Sequence, residues 1–145
     1  MDAFYHWTMG PYFGYIYKVL NLSLVMAEKT GAKECIFCKI VQKEIPVEIV
    51  LETGNFIAVP DIHPKVKGHT LILPKKHFTS LMDMPSSLGS ELLDVIKKVF
   101  EIRVKEGAEG FNIVMNNLPA AGQIVMHAHV HLLPRKAKDG KDLGL

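Results

Sequence analysis

The sequence predicts an α+β domain built on one five-stranded antiparallel sheet, with one long helix and one or two short ones. Three observations carry that prediction. Strand-like segments follow one another with only turns or loops between most of them, as antiparallel neighbours do. A single segment has the three-and-four spacing of a long amphipathic helix. The last apolar segment carries histidines at every second position, and two is the period of a strand.

The elements follow in order. "CIFCKIVQ" (residues 35–42) reads as a short helix ended by "KEIP". "EIVLE" (48–52) and "FIAVP" (56–60) read as strands separated by the turn signal "TGN". "HTLILPK" (69–75) is a third strand, entered from the loop "HPKVKG". The long helix is "SSLGSELLDVIKKVFEIRVKEG" (86–107), where Leu88, Leu92, Val95, Ile96 and Val99 form an apolar stripe. Lys97, Lys98 and Glu101 fall largely off that stripe. Ser86 or Ser87 is placed to cap its start, and Gly107 to stop it. "FNIVMN" (111–116) is the fourth strand and "QIVMHAHVHLLP" (123–134) the fifth, joined by the loop "LPAAG". No internal repeat is present.

The fifth strand raises the functional question. On a strand, His127, His129 and His131 share one face, while Ala128, Val130 and Leu132 take the other. On a helix, residues two apart point about 200° apart and form no row. The β-branched Ile124, Val125 and Val130 also favour the strand. A row of imidazoles suits a metal site or an acid, base or nucleophile cluster.

Composition narrows the field. The chain has 145 residues, enough for one domain with a real core. Hydrophobic content of 48% and a mean hydropathy of +0.15 exclude wholesale disorder. A net charge of +2 from 17 basic and 15 acidic residues leaves no footprint for bulk nucleic-acid binding. A small anionic ligand remains compatible. Two cysteines, Cys35 and Cys38, are too few for a disulfide scaffold and suit metal or redox chemistry in a reducing compartment, which makes the cytoplasm the default. The apolar run at 12–26 is too short to span a bilayer and is interrupted by Lys18 and Asn21, so no membrane partner is expected. The first ten residues contain no Lys or Arg for a signal peptide. Residues 1–25 are read first as an appendage, then as the product of an upstream start codon, and last as a signal.

Two stretches carry chemistry beside the histidines. C-x₂-C supplies half of a tetrahedral zinc site, and with no further cysteine its other ligands must be histidines; a redox pair is the rival reading. "NNLPAAGQ" (116–123) is rich in turn formers and small residues, which let an anion approach backbone N–H groups, with Asn116 and Gln123 adding side-chain hydrogen bonds.

"GQIVMHAHVHLLPR" resembles the signature of the histidine-triad (HIT) family, H-φ-H-φ-H-φ-φ with φ apolar. "CIFCKI", "FIAVPDIHPKVKGHTLILPKKH" and "FNIVMNN" resemble family segments in the same order, so the likeness covers about residues 34–136. It implies a HIT domain over 34–145, an N-terminal extension over 1–33, and a homodimer. It further implies a nucleotide hydrolase or transferase acting at the α-phosphorus of nucleoside phosphoramidates or dinucleoside polyphosphates. The resemblance makes His129 the nucleophile and His131 the group that assists the leaving group. Asn116, Gly122 and Gln123 would hold phosphate, Asp61 the ribose hydroxyls, and Phe37, Ile40, Ile62 and Leu71 the purine base. Zinc-binding relatives place a structural metal on positions equivalent to Cys35, Cys38, His77 and His127. Ile124 departs from the family pattern, which often has a hydroxyl or acidic residue there, and the chain is short after Lys141. A non-catalytic nucleotide-binding regulatory module and a zinc-only interaction domain are the alternative functions.

Overall fold

The computed structural model describes residues 34–143; the extension at 1–33, with its apolar run, lies outside them. Helix α1 spans Ile36–Val41. Strands β1 (Leu51–Glu52), β2 (Phe56–Pro60) and β3 (Thr70–Pro74) follow, then helix α2 (Gly89–Lys105), β4 (Gly110–Val114) and β5 (Val130–Arg135). The sheet is five-stranded in the order β1-β2-β3-β5-β4, with each neighbouring pair antiparallel.

Both faces of the inner strands are covered, which is why "FIAV" and "LIL" read as continuous apolar runs. Ile57, Val59, Leu71 and Leu73 pack with Phe37 and Ile40 of α1 on one face. Phe56, Ala58, Ile72, Val130 and Leu132 pack against Val95 and Val99 of α2 on the other. The expected α2 stripe is the buried one: Val95 and Val99 are 1% and 0% exposed, and burial of each valine contributes on the order of 1.5–3 kcal/mol. Glu91 fastens the start of α2 to the β1–β2 turn, accepting from Thr53 Oγ1 at 2.6 Å and from the Asn55 amide N–H at 2.9 Å.

Arg103 fastens the other end. It is buried, donating to Thr70 Oγ1 from Nε (3.2 Å) and Nη2 (2.8 Å) and to Glu106 from Nη1. Thr70 Oγ1 in turn donates to the Gly68 carbonyl. Gly68 needs its φ of +82°, and a Cβ there would meet Arg103 Cδ at 3.1 Å. The last turn of α2 therefore holds the end of the 61–69 loop. No helix among the described residues is long and apolar enough to cross a membrane.

Three expectations need correction. The strand expected over 48–52 forms only at Leu51–Glu52. Ser86 and Ser87 do not cap α2, because they lie in a 3₁₀ turn, Ser86–Leu88, that runs directly into it. The strand expected over 123–134 begins only at Val130. Two facts explain the late start: β4 ends at Val114, opposite His131, and Pro74 at the end of β3 has no N–H to donate to a longer ladder. His127 and His129 thus sit on irregular backbone, and Ala128 N–H donates instead to the Phe78 carbonyl at 2.6 Å.

Candidate active site and metal centre

Leaving the strand early sends His127 away from the other two histidines. It is 0% exposed, its Nε2 donates to the Pro74 carbonyl at 2.8 Å, and its Nδ1 faces both thiols. Nδ1 lies 3.5 Å from Cys35 Sγ and 3.5 Å from Cys38 Sγ, and His77 Nδ1 lies 3.3 Å from Cys38 Sγ. The four donor atoms all lie within 4.8 Å of one another. A tetrahedral zinc ion, about 2.3 Å from sulfur and about 2.0 Å from nitrogen, holds those atoms about 3.5 Å apart. The donor set therefore fits zinc in number, type and spacing. Burial, with Cys35 adding to it, pushes the Cys38 thiol up to about 12, and a cation between the thiols reverses that penalty. Burial likewise pushes the His127 imidazole down to about 4, against the pull of the Pro74 carbonyl, which keeps Nδ1 open as a ligand. The tetrad predicted from the resemblance is assembled here by three separate segments: the entry to α1, the exit of β3 and the run into β5.

His129 and His131 form the second cluster, with ring centroids 5.0 Å apart. His129 Nδ1 donates to the His127 carbonyl at 2.8 Å, which leaves Nε2 with its lone pair. Burial holds the His129 imidazole below its ordinary range, so the lone pair is retained at neutral pH. His131 Nδ1 lies 2.9 Å from His69 Nε2. Since His69 Nδ1 already accepts from the Lys65 amide N–H at 3.2 Å, His69 carries its proton on Nε2 and donates it to His131. His131 then bears its own proton on Nε2. Asp61 closes the group, with Oδ2 3.4 Å from His69 Nε2 and 4.0 Å from His131 Nδ1. A neutral His129 with a free Nε2 lone pair thus stands beside a neutral His131 N–H donor, a pairing whose chemistry suits attack by one ring and proton donation by the other.

The loop before β5 departs from expectation. Gly122 N–H donates to the Pro119 carbonyl and Gln123 N–H to the Leu118 carbonyl, so both close the loop on itself. The buried Gln123 side chain accepts from Leu118 N–H at 2.6 Å and donates to the carbonyls of Thr79 and Val125. The side chain thereby braces the loop. The amides of Ile124, Val125 and Met126 make no hydrogen bond among the described residues, nor does the half-buried Asn116 side chain. Of the four residues assigned to the base, Phe37, Ile40 and Leu71 are each 8% exposed and Ile62 is 77% exposed.

Sequence reasoning counted His69 only among the histidines open to a metal and gave it no part beside the triad; its signal was its place in "GHTLI" eight residues after Asp61. Asn117, which accepts from Leu81 N–H at 2.7 Å, was also missed. A separate cavity lined by Val66, Arg103, Pro134 and Arg135 adds nothing to this cluster, and its arginines are paired with Glu106 and Asp139.

Comparison with known proteins agrees with this geometry. The HIT domain family model matches residues 42–138. The chain belongs to the histidine-triad family. Among histidine-triad relatives, an uncharacterized HIT-like protein of Methanocaldococcus jannaschii is 45% identical over 107 residues, covering 74% of this chain and 83% of that protein. An adenosine 5'-monophosphoramidase of Candida albicans is 40% identical, covering 70% of each chain. An adenylylsulfatase of Arabidopsis thaliana is 36% identical over 76% of this chain, but the match spans only 56% of its length. The crystal structure of a zinc-bound histidine-triad protein from Mycobacterium smegmatis is similar with a TM-score of 0.71 and 35% identity, covering 75% of this chain and 80% of that one.

Proposed function

We propose that this chain is a nucleotide hydrolase that cleaves at the α-phosphorus through a covalent nucleotidyl-His129. The observation that carries the reading is the bond from His129 Nδ1 to the His127 carbonyl, which leaves an unprotonated Nε2 on the ring beside His131. Nε2 attacks phosphorus, the bond to the leaving group breaks, and its electron pair departs with the leaving atom. His131 Nε2–H donates to that atom, and His69 holds the tautomer that makes this proton available. Water then attacks phosphorus as one of its protons returns to His131 Nε2; the bond from phosphorus to His129 Nε2 breaks, its electron pair restores the His129 lone pair, and the nucleoside monophosphate is released. Phosphate oxygens are received by the open amides of Ile124–Met126 and by Asn116, which offset the missing hydroxyl at Ile124. Asp61 accepts from the ribose hydroxyls and Ile62 covers the purine.

The adenosine 5'-monophosphoramidase and adenylylsulfatase relatives support a nucleotidyl substrate with an amine or acid leaving group. Phosphoramidates and dinucleoside polyphosphates are the two substrate classes for this chain. Zinc on Cys35, Cys38, His77 and His127 is structural, with all four positions closed by protein. The setting is cytoplasmic. The working form is a homodimer: β4 is an edge strand, and Phe111 and Ile113 on it are 38% and 40% exposed beside the exposed Leu93 and Val104 of α2.

His129→Ala tests the reading. Turnover is abolished while nucleotide binding largely survives, and labelled substrate leaves no covalent nucleotidyl-enzyme. Retained hydrolysis in that variant defeats the mechanism.

A further inference from the structure

We infer that Phe37 and the His127 carbonyl form a positioning device for His129, set by the Cys35–Cys38–His77–His127 tetrad, so that metal occupancy governs the readiness of the nucleophile. The inference rests on His129 being the nucleophile.

His127 has two jobs at once. Its ring offers Nδ1 to the tetrad, and its backbone carbonyl, in the same residue, accepts from His129 Nδ1. Whatever fixes the His127 ring also fixes the acceptor that orients the nucleophile. Phe37 repeats the link from the other side. It lies on α1 between the two cysteines, and its ring meets both imidazoles edge-on: His127 at 5.9 Å and 85°, His129 at 5.0 Å and 70°. An edge-to-face pair resists rotation of either ring. Phe37 is 8% exposed, so it sits beneath the nucleophile and presents little surface to a base.

The tetrad is what holds these parts together. Helix α1 has six residues, no side-chain cap at its start and no acidic residue in its first turn. A helix that short does not persist alone. Its position depends on packing and on the two thiols. When a metal is bound, Cys35 and Cys38 tie α1 to His77 and His127, and the Phe37 ring is pinned against His129. When the tetrad is empty, His127 keeps its Nε2 bond to Pro74 but loses its second anchor, and Phe37 is released with α1. Phe37, Cys35, Cys38 and His77 then act on the reaction through His129, as positioning residues.

The test reads the nucleophile directly. In ¹⁵N-histidine-labelled wild type loaded with zinc, His129 shows one set of ring signals with the proton on Nδ1. Stepwise chelation converts these, in proportion to zinc removed, to averaged signals from both tautomers. His129 signals that stay unchanged as zinc leaves overturn the inference. A kinetic arm uses Phe37→Leu at full zinc content. The inference expects kcat to fall by about tenfold or more with KM within about threefold. A raised KM at unchanged kcat makes Phe37 a base wall and overturns it. Should Phe37→Leu lose its zinc, the wild-type chelation series decides alone. Wild type that turns over no nucleotide defeats the hydrolase reading only, because the ring signals report the coupling without substrate.

Discussion

His131 illustrates how a single residue is tuned by what surrounds it. Burial first, then the neighbouring charges of His129, His69 and Lys65, push its imidazole from 6.5 down to about 3. A base whose folded value is depressed binds its proton more readily in the unfolded chain. Its contribution to stability is therefore intact above 6.5 and is lost as pH falls towards 3. Within that window the group costs about 1.4 kcal/mol per pH unit. Urea unfolding of the wild type should show midpoints falling between neutral and mildly acid pH, and His131→Gln should show a shallower fall. Equal slopes for the two proteins exclude His131 as the source.

Leu118 makes the same point for the backbone. Its φ of +71° with ψ of 160° belongs to a region suited to glycine, yet a leucine occupies it, 47% exposed and directly before Pro119. The conformation is held by Gln123, which accepts from Leu118 N–H, and by the 3₁₀ turn Pro119–Ala121. Leu118→Gly should raise stability by about 1 kcal/mol, read as a higher denaturant midpoint at constant slope. A lower midpoint means that the exposed leucine makes contacts that outweigh the strain.

At the scale of elements, α2 does more than cover one face of the sheet. Its first turn holds the β1–β2 turn through Glu91, and its last turn holds the active-site loop through Arg103, Thr70 and Gly68. That loop carries Asp61, Lys65 and His69, so the tautomer chain to His131 depends on a contact on the far side of the sheet. Arg103→Ala strands Glu106 without its partner and opens space under Gly68. The cost should be about 2–4 kcal/mol in chemical denaturation, with a fall in kcat as His69 loosens. A variant that loses stability but keeps full kcat shows that the loop is held by other contacts. The "FIAVP", "TLILP" and α2 patterns were legible because period two and period three-and-four survive folding unchanged, and the buried residues match both.

On the scale of the whole molecule, the sheet ends at β4, whose outer backbone edge is unpaired among the described residues. Phe111 stacks at 4.2 Å on Phe100 of α2, and Ile113 of β4 and Leu93 and Val104 of α2 are further exposed apolar residues. In the proposed homodimer, a second copy related by a two-fold axis pairs with the edge and covers those residues together. Phe111→Glu should convert the proposed dimer to monomer in sedimentation velocity with little loss of monomer fold. An unchanged sedimentation coefficient places the interface elsewhere or excludes one.

The histidine segment shows best what the sequence determined and what it did not. Residue identity by itself supplied the chemistry: two thiols, a set of imidazoles and a carboxylate, in an order that matches the family. Period two alone placed all three triad histidines on one face. Tertiary structure divided them, because Pro74 and the end of β4 stop the ladder before His129 and let Ala128 bond to Phe78 instead. That turn gives His127 to the thiols and leaves His129 beside His131. The brace made by Gln123, the hydrogen bond between His69 and His131 and the core position of Phe37 were equally invisible in the sequence. Each depends on which partner a polar atom or ring meets across 44, 62 or 92 residues of chain. Local pattern encodes periodicity and burial; partners at that separation are selected only when the whole sheet closes.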